Sequence, residues 1–293
     1  MEKMSLYMFS AGFITLAGAV VFYFAYAVVS VLTRTRLAAM AGGPGSASQA
    51  APTALAGVGR LATILAWNSA VFLLLSLLAR AIASGRGPFS NMYEFTVSFA
   101  AGVTLAYLIV EARVSRRTLG ALVLPVALGL MWYASTLPNN VAPLVPALQN
   151  NLLLTLHVSV AIMAYGFFAV SFGSASLYLV RRAAGTPADS LEILDEVAYR
   201  SVLIGFPAMA LVILLGSIWA ETAWGSWWSW DPKETASLVT FLIYAAYLHG
   251  RIFQGWRGTR TALLLVVGFV AVLFTFFGNL FFGGLHSYSG LRG

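Results

Sequence analysis

Charged residues are scarce within long stretches of this chain and gather in the short segments that separate them. The apolar stretches lie at about 6–32, 61–81, 93–112, 118–136, 152–180, 201–220, 235–253 and 261–282. Each holds roughly 20 residues or more, enough to cross ~30 Å of hydrocarbon as a helix. The pattern predicts an all-α, polytopic membrane helical bundle of about eight transmembrane helices. The first stretch opens with one acid and one lysine, runs longer than the apolar part of a signal peptide, and is read as a span.

Composition agrees, since 60% of the 293 residues are hydrophobic and only 9% are charged. A net charge of +7 raises the question of nucleic acid, but the basic residues form short clusters between spans and no stripe, which excludes it as a partner. The clusters read as topology signals. Alternate connections carry twelve Lys and Arg on one side and five on the other, so the positive-inside rule puts both termini on the outer side, which in a bacterial cytoplasmic membrane is the periplasmic side. Cysteine is absent, which removes disulfides and thiolate metal sites from consideration.

One integral membrane domain is expected over 1–293. Residues 33–60, rich in Gly, Ala, Ser and Pro over "AAMAGGPGSASQAAPTALAG", read as a cytoplasmic linker. Residues 187–200 carry Leu191, Leu194 and Val197 at helical spacing, with Asp189 and Glu192 placed as a capping box, and predict a short cytoplasmic interfacial helix. The outer connection 137–151 has three prolines and no charge, which suits a segment lying along the bundle.

The chemistry concentrates in "WGSWWSWDPKE", residues 224–234, inside an outer tryptophan-rich loop taken as 221–235. Asp231 suits an N-cap, Pro232 the first helical position, and Glu234 the third, from which a carboxylate reaches back to the cap. Four tryptophans, Trp224, Trp227, Trp228 and Trp230, precede that cap. An aromatic belt at the membrane surface would spread them over several helices. Two of the three histidines reach the same face: His157 lies about six residues, ~9 Å, inside the fifth span, and His286 follows Gly283 and Gly284, which should end the eighth helix. Histidine is a usual axial ligand of haem iron, and flat indoles can cover a porphyrin face. Zinc would need Asp231 or Glu221 as further ligands and leaves the tryptophans without a purpose. His249 sits ~26 Å down the seventh helix, near the inner edge of the hydrocarbon, and cannot share a haem with the outer pair. Lys233, Arg86 and Arg80 outside and Arg251 inside are cations that can pair with haem propionates or serve as interfacial anchors. Glu94, three after Asn91, fits a second capping box.

These residues resemble the CcsA (also called ResC) cytochrome c biogenesis family, within the haem-handling membrane proteins that share a WGxxWxWD signature. Trp224, Gly225, Trp228, Trp230 and Asp231 fill that signature. The resemblance continues through "PFSNMYE" at 88–94, "PLVPALQ" at 143–149, "HV" at 157–158 and "LDEVAYRSVLIGFP" at 194–207, over roughly the whole chain after residue 60. It implies that His157 and His286 are the histidines that flank the loop and ligate an outer haem. His249 then corresponds to the ligand of a second, internal haem. Eight spans fit this family better than the shorter CcmC or the much longer CcmF proteins.

The resemblance further implies a haem-binding subunit of a cytochrome c synthase: haem b, as transported substrate, crosses the membrane and is presented to apocytochrome c for thioether attachment at Cys-x-x-Cys-His. A CcsB/ResB-like membrane protein is the implied partner that completes the inner site. Two other classes compete. A fixed-haem electron-transfer subunit would need paired histidines at each depth, and a small-molecule transporter would need broken polar helices with repeat symmetry.

Overall fold

The apolar stretches form eight α-helices in a computed structural model of the chain, which describes residues 1–40, 53–141, 148, 151–278 and 281–286. These are α1 Glu2–Met40, α2 Thr53–Ser84, α3 Met92–Val114, α4 Gly120–Ser135, α5 Asn151–Ala183, α6 Glu192–Trp224, α7 Pro232–Phe253 and α8 Thr259–Phe277. Each is long and apolar enough to cross a membrane, and no strand occurs among the described residues. An even number of crossings leaves the first residue of α1 and the segment after α8 on one side.

α3 is the most enclosed span. It packs on α2, α4 and α5, while α1 covers α2 and α4, α5 meets α6 and α8, and α7 meets α6 and α8. Lipid gives helices no hydrophobic reason to associate, so small residues that let backbones approach closely matter most. The α3–α5 crossing has that character: a Cβ on Gly166 would stand 2.8 Å from the Gly102 carbonyl oxygen, and one on Gly102 would strike Ile162.

Buried charges tie the helix ends together. At one end of the bundle Glu94 is fully buried, accepting from Arg80 Nε at 2.7 Å and from Arg86 at 3.3 Å. At the opposite end Asp195 of α6 accepts from Arg251 of α7, and from the Gly258 N–H and Thr261 hydroxyl at the start of α8. Arg251 also lies 4.9 Å over the Tyr199 ring. Three helices thus converge on one carboxylate, although Arg251 Nη2, like Arg80 Nη1 at the other end, is buried without a hydrogen-bond partner among the described residues.

Four boundaries differ from expectation. Residues 187–200 are no separate helix: after a single 3₁₀ turn at Ala188–Leu191, Glu192 begins α6, with no side-chain cap from Asp189. No glycine or proline interrupts 192–204, and Leu194, Val197 and Ala198 are buried, so nothing divides the segment from its span. The 33 residues of α6 reach about 50 Å and project beyond the hydrocarbon. The linker 33–60 is helical at both ends, as α1 runs to Met40 and α2 starts at Thr53; residues 41–52 lie outside the described residues, as does most of 137–151. α8 runs to Phe277, short of Gly283, with the Gly278 N–H bonded to the Phe274 carbonyl. Asn91 does cap α3 through its side chain, but the Glu94 carboxylate reaches back to the N–H and hydroxyl of Ser90, one residue before the cap, and also accepts from Arg80 and Arg86.

The α3–α5 crossing is directly testable. Gly166→Leu should destabilise the purified protein by about 1–3 kcal/mol through overpacking. Gly129→Leu, where an added Cβ meets nothing within 4 Å, should leave the melting temperature unchanged or slightly raised. Thermal melts of the two variants in one detergent make the comparison.

Candidate functional site

Between α6 and α7 the chain turns in seven residues, 225–231. Trp224 is thus the last residue of α6 and the loop is shorter than 221–235. Gly225 ends α6 with φ +71° and gives its N–H to Glu221 at 2.9 Å, a conformation that glycine reaches without strain. Ser217 of α6 donates to the Trp227 carbonyl at 2.7 Å and folds the loop back over its own helix. At the exit the expected capping box is present: Asp231 accepts from the Lys233 N–H at 2.9 Å, Pro232 opens α7, and the Glu234 carboxylate accepts from the Asp231 and Ser229 N–H groups.

Under this loop lies an apolar cavity at the end of the bundle where α3, α5, α6, α7 and α8 meet. Phe95 and Phe99 of α3, His157 and Tyr165 of α5, and Trp219 of α6 form its walls, with Trp227, Trp228, Lys233 and His286 around its outer part. His157 and His286, 129 positions apart, therefore share one cavity. Both imidazoles pack on the same indole. The Trp219 ring centroid is 6.3 Å from that of His157 with planes 24° apart, and 5.7 Å from that of His286. Trp224 closes the group, edge-on to His286 at 4.9 Å. Gly216 makes the first of these contacts possible, because a Cβ there would stand 2.9 Å from His157 Cε1. His157 Nδ1 is buried with no hydrogen-bond partner among the described residues.

His286 is differently held. Its Nδ1 lies 2.9 Å from Asp231 Oδ1, so Nδ1–H donates to the carboxylate and, in the neutral ring, Nε2 carries the lone pair. Burial lowers the His286 pKa below its ordinary value and Lys233 adds to this, while the Asp231 hydrogen bond opposes it. For Asp231, burial favours the acid, but the hydrogen bond and charge of His286 and the Lys233 N–H outweigh it and bring the pKa to about 2. At neutral pH the pair is a carboxylate holding a neutral imidazole, the form of histidine that binds a metal.

The four loop tryptophans are not equivalent. Trp227 and Trp228 line the cavity, Trp224 backs His286, and Trp230, in a left-handed conformation at φ +59°, is 69% exposed and meets Trp228 edge-on. His249 lies apart, exposed on α7 with its ring tilted against Phe253 at 5.1 Å. No cluster of three or more His, Cys, Asp or Glu able to hold a metal occurs among the described residues. Sequence reasoning missed Trp219 and Gly216, which sit in an apolar run at the end of α6; an indole one turn before the Trp224–Gly225 stop was the available signal.

Fold and cavity together define a multi-pass helical membrane protein with a histidine- and indole-lined pocket at one face. Residues 89–286 match the family model described as cytochrome C assembly protein. Cytochrome c biogenesis protein CcsA of Pyropia yezoensis is 35% identical over 286 residues, covering 81% of this chain and 89% of that protein. The protein of the same name from Prochlorococcus marinus (strain NATL1A) is 39% identical over 266 residues, covering 78% and 84%. The solved structure of cytochrome c heme lyase CcmF is similar with a TM-score of 0.63 at 18% identity, over 92% of this chain and 46% of that one. This chain thus spans about half of CcmF, and that likeness is one of fold. The chain belongs to the CcsA cytochrome c biogenesis family. Its general role is accordingly in cytochrome c maturation.

The double use of Asp231 gives a prediction. Asp231→Asn should keep the helix cap and nearly all the stability, whereas Asp231→Ala should lose about 1 kcal/mol. Asn removes the carboxylate that raises the His286 pKa, so NMR titration of the His286 imidazole should give a lower midpoint in Asp231→Asn than in the parent.

Proposed function

We propose that the chain carries haem b across the membrane and presents it on the outer face to apocytochrome c for thioether attachment. The observation that carries this reading is the convergence of His157 and His286 on one indole-walled cavity. An apolar cleft with two neutral imidazoles suits a flat, apolar ligand whose metal takes nitrogen above and below. His286, oriented by Asp231, offers Nε2 to iron as in a carboxylate–histidine–metal arrangement. His157 supplies the second axial nitrogen, and Trp227 and Trp228 cover a porphyrin face.

The bond-making step needs no side chain of this protein as nucleophile. Each thiol of the apocytochrome Cys-x-x-Cys-His segment adds across one haem vinyl group, sulfur to one carbon and hydrogen to the other, with no net oxidation. With no cysteine of its own, the chain contributes binding, orientation and shielding from water. Orientation is where its catalytic gain lies.

His249 supports a second haem position. It is an exposed imidazole within a membrane span, roughly 26 Å from the outer end of α7, and ionisable groups at such depths are functional by default. No other histidine of the chain lies at that depth. The reading is therefore of an inner haem shared between His249 and a CcsB/ResB-like membrane subunit that supplies the opposite ligand. A fixed-haem electron relay is disfavoured by the same lack of a partner for His249 within the chain. The excess of Lys and Arg in alternate connections supports a tryptophan loop on the outer side, which in the proposed setting of a bacterial cytoplasmic membrane is the periplasmic side.

Visible spectroscopy of the purified protein tests the outer site. His157→Ala and His286→Ala should each weaken the bis-histidine haem spectrum, and added imidazole should partly restore it by filling the vacated position. Unchanged spectra in both variants would refute the ligand assignment. For the inner site, His249→Ala should reduce haem loaded at the outer site in cells and the yield of c-type cytochromes, while the purified variant still binds haem supplied from outside. Wild-type loading and cytochrome yield at normal protein levels would remove His249 from the pathway.

A further inference from the structure

The cations near the two proposed haem positions are nearly all engaged. Arg80 and Arg86 converge on Glu94, and Arg251 on Asp195 and Glu196. Lys233 differs. Its side chain lines the cavity, its ammonium lies 6.0 Å from the Phe95 ring centroid, and that ammonium makes no ion pair or hydrogen bond with any described residue. Asp231, two residues away, spends Oδ1 on both His286 and the cap of α7, and Glu234, which lines the same cavity, is taken up by the Ser229 and Asp231 N–H groups. Neither carboxylate forms an ion pair with the ammonium, and a phenyl face offsets only part of the cost of burying it unpaired. Such a group matches a ligand that brings its own negative charge.

We propose that Lys233 is the carboxylate-binding residue of the outer cavity and pairs with a propionate of haem. This rests on the reading of the cavity as a haem site and adds to it the ring's orientation. Metal ligation by two imidazoles leaves a porphyrin free to rotate about the axis through the metal. One cation at the rim removes that freedom: with the propionate edge at Lys233, the vinyl groups point away from α7. Lys233 follows Asp231 by two residues, so the group that orients His286 and the group that orients the porphyrin edge are set by the same helix start. The ring orientation and the axial ligand are then fixed together.

Titration of the purified protein with haemin and with haemin dimethyl ester, followed by the Soret band, tests the assignment, because the ester keeps the ring and metal but carries no carboxylate. The parent protein should bind the free acid at least about tenfold more tightly than the ester, as expected for one charge-assisted pair. Lys233→Met should abolish that preference by weakening the free acid alone, and Lys233→Arg should retain it. Unaltered ester binding by Lys233→Met serves as the check that the cavity is still folded. A preference equal in the parent and Lys233→Met would overturn the role of Lys233 while leaving the haem site standing. Failure of the parent to bind either compound would remove the haem site itself, and the propionate contact with it.

Discussion

One carboxylate, that of Asp231, links the backbone of α7 to the ligand chemistry of the cavity. It accepts the N–H that a helix start leaves unsatisfied and, through the same oxygen, the Nδ1 proton of His286. His286 lies beyond the last span, 55 residues later, and residues 281–286 are not helical. Its imidazole is set by that bond together with its contacts on Trp219 and Trp224. Gly284 belongs to the same arrangement, because a Cβ there would overlap the Asp231 carboxylate. The exit of the tryptophan loop, the start of α7 and the direction of one imidazole are therefore one structural event.

The two membrane faces are built differently, and the difference fits their proposed tasks. At the end that carries the tryptophan loop, five helices and the loop enclose a cavity in which both histidines pack on Trp219. At the other end, the polar groups of α6, α7 and α8 are spent on Asp195 and Arg251, which lock the helix ends, while His249 stands exposed nearby on α7. An enclosed site holds and orients a ligand by itself. An exposed imidazole on a helix flank needs a second surface, which is the physical content of a site shared between subunits.

The chain's charged residues were only half legible from spacing. The Asp231–Glu234 box formed as its spacing demands, since both partners lie within one turn and nothing stronger competes nearby. The Asn91–Glu94 spacing is the same, and Glu94 does reach back to a backbone N–H, but to that of Ser90, while also accepting from Arg80 and Arg86, which arrive from α2 and the turn that follows it. Spacing marked the local bond; the two long-range cations on the same carboxylate left no mark in the sequence. The 187–200 segment failed for a related reason: its amphipathic pattern was real, but Leu194 and Val197 bury against the bundle as the first turns of α6.

By itself the sequence determined the membrane bundle, its eight spans, the helix start at Asp231 and the face on which two histidines and four tryptophans gather. All of these follow from runs, caps and depth, which are properties of neighbouring residues. Tertiary structure alone decided that Trp219, from the body of α6, is the surface both imidazoles share, and that Gly216 admits His157 to it. It also decided which tryptophans line the cavity, and that no described carboxylate forms an ion pair with Lys233 while Arg80, Arg86 and Arg251 are engaged. Those outcomes depend on which helices pack side by side, and packing brings together residues more than a hundred positions apart whose one-dimensional pattern carries no mark of their meeting.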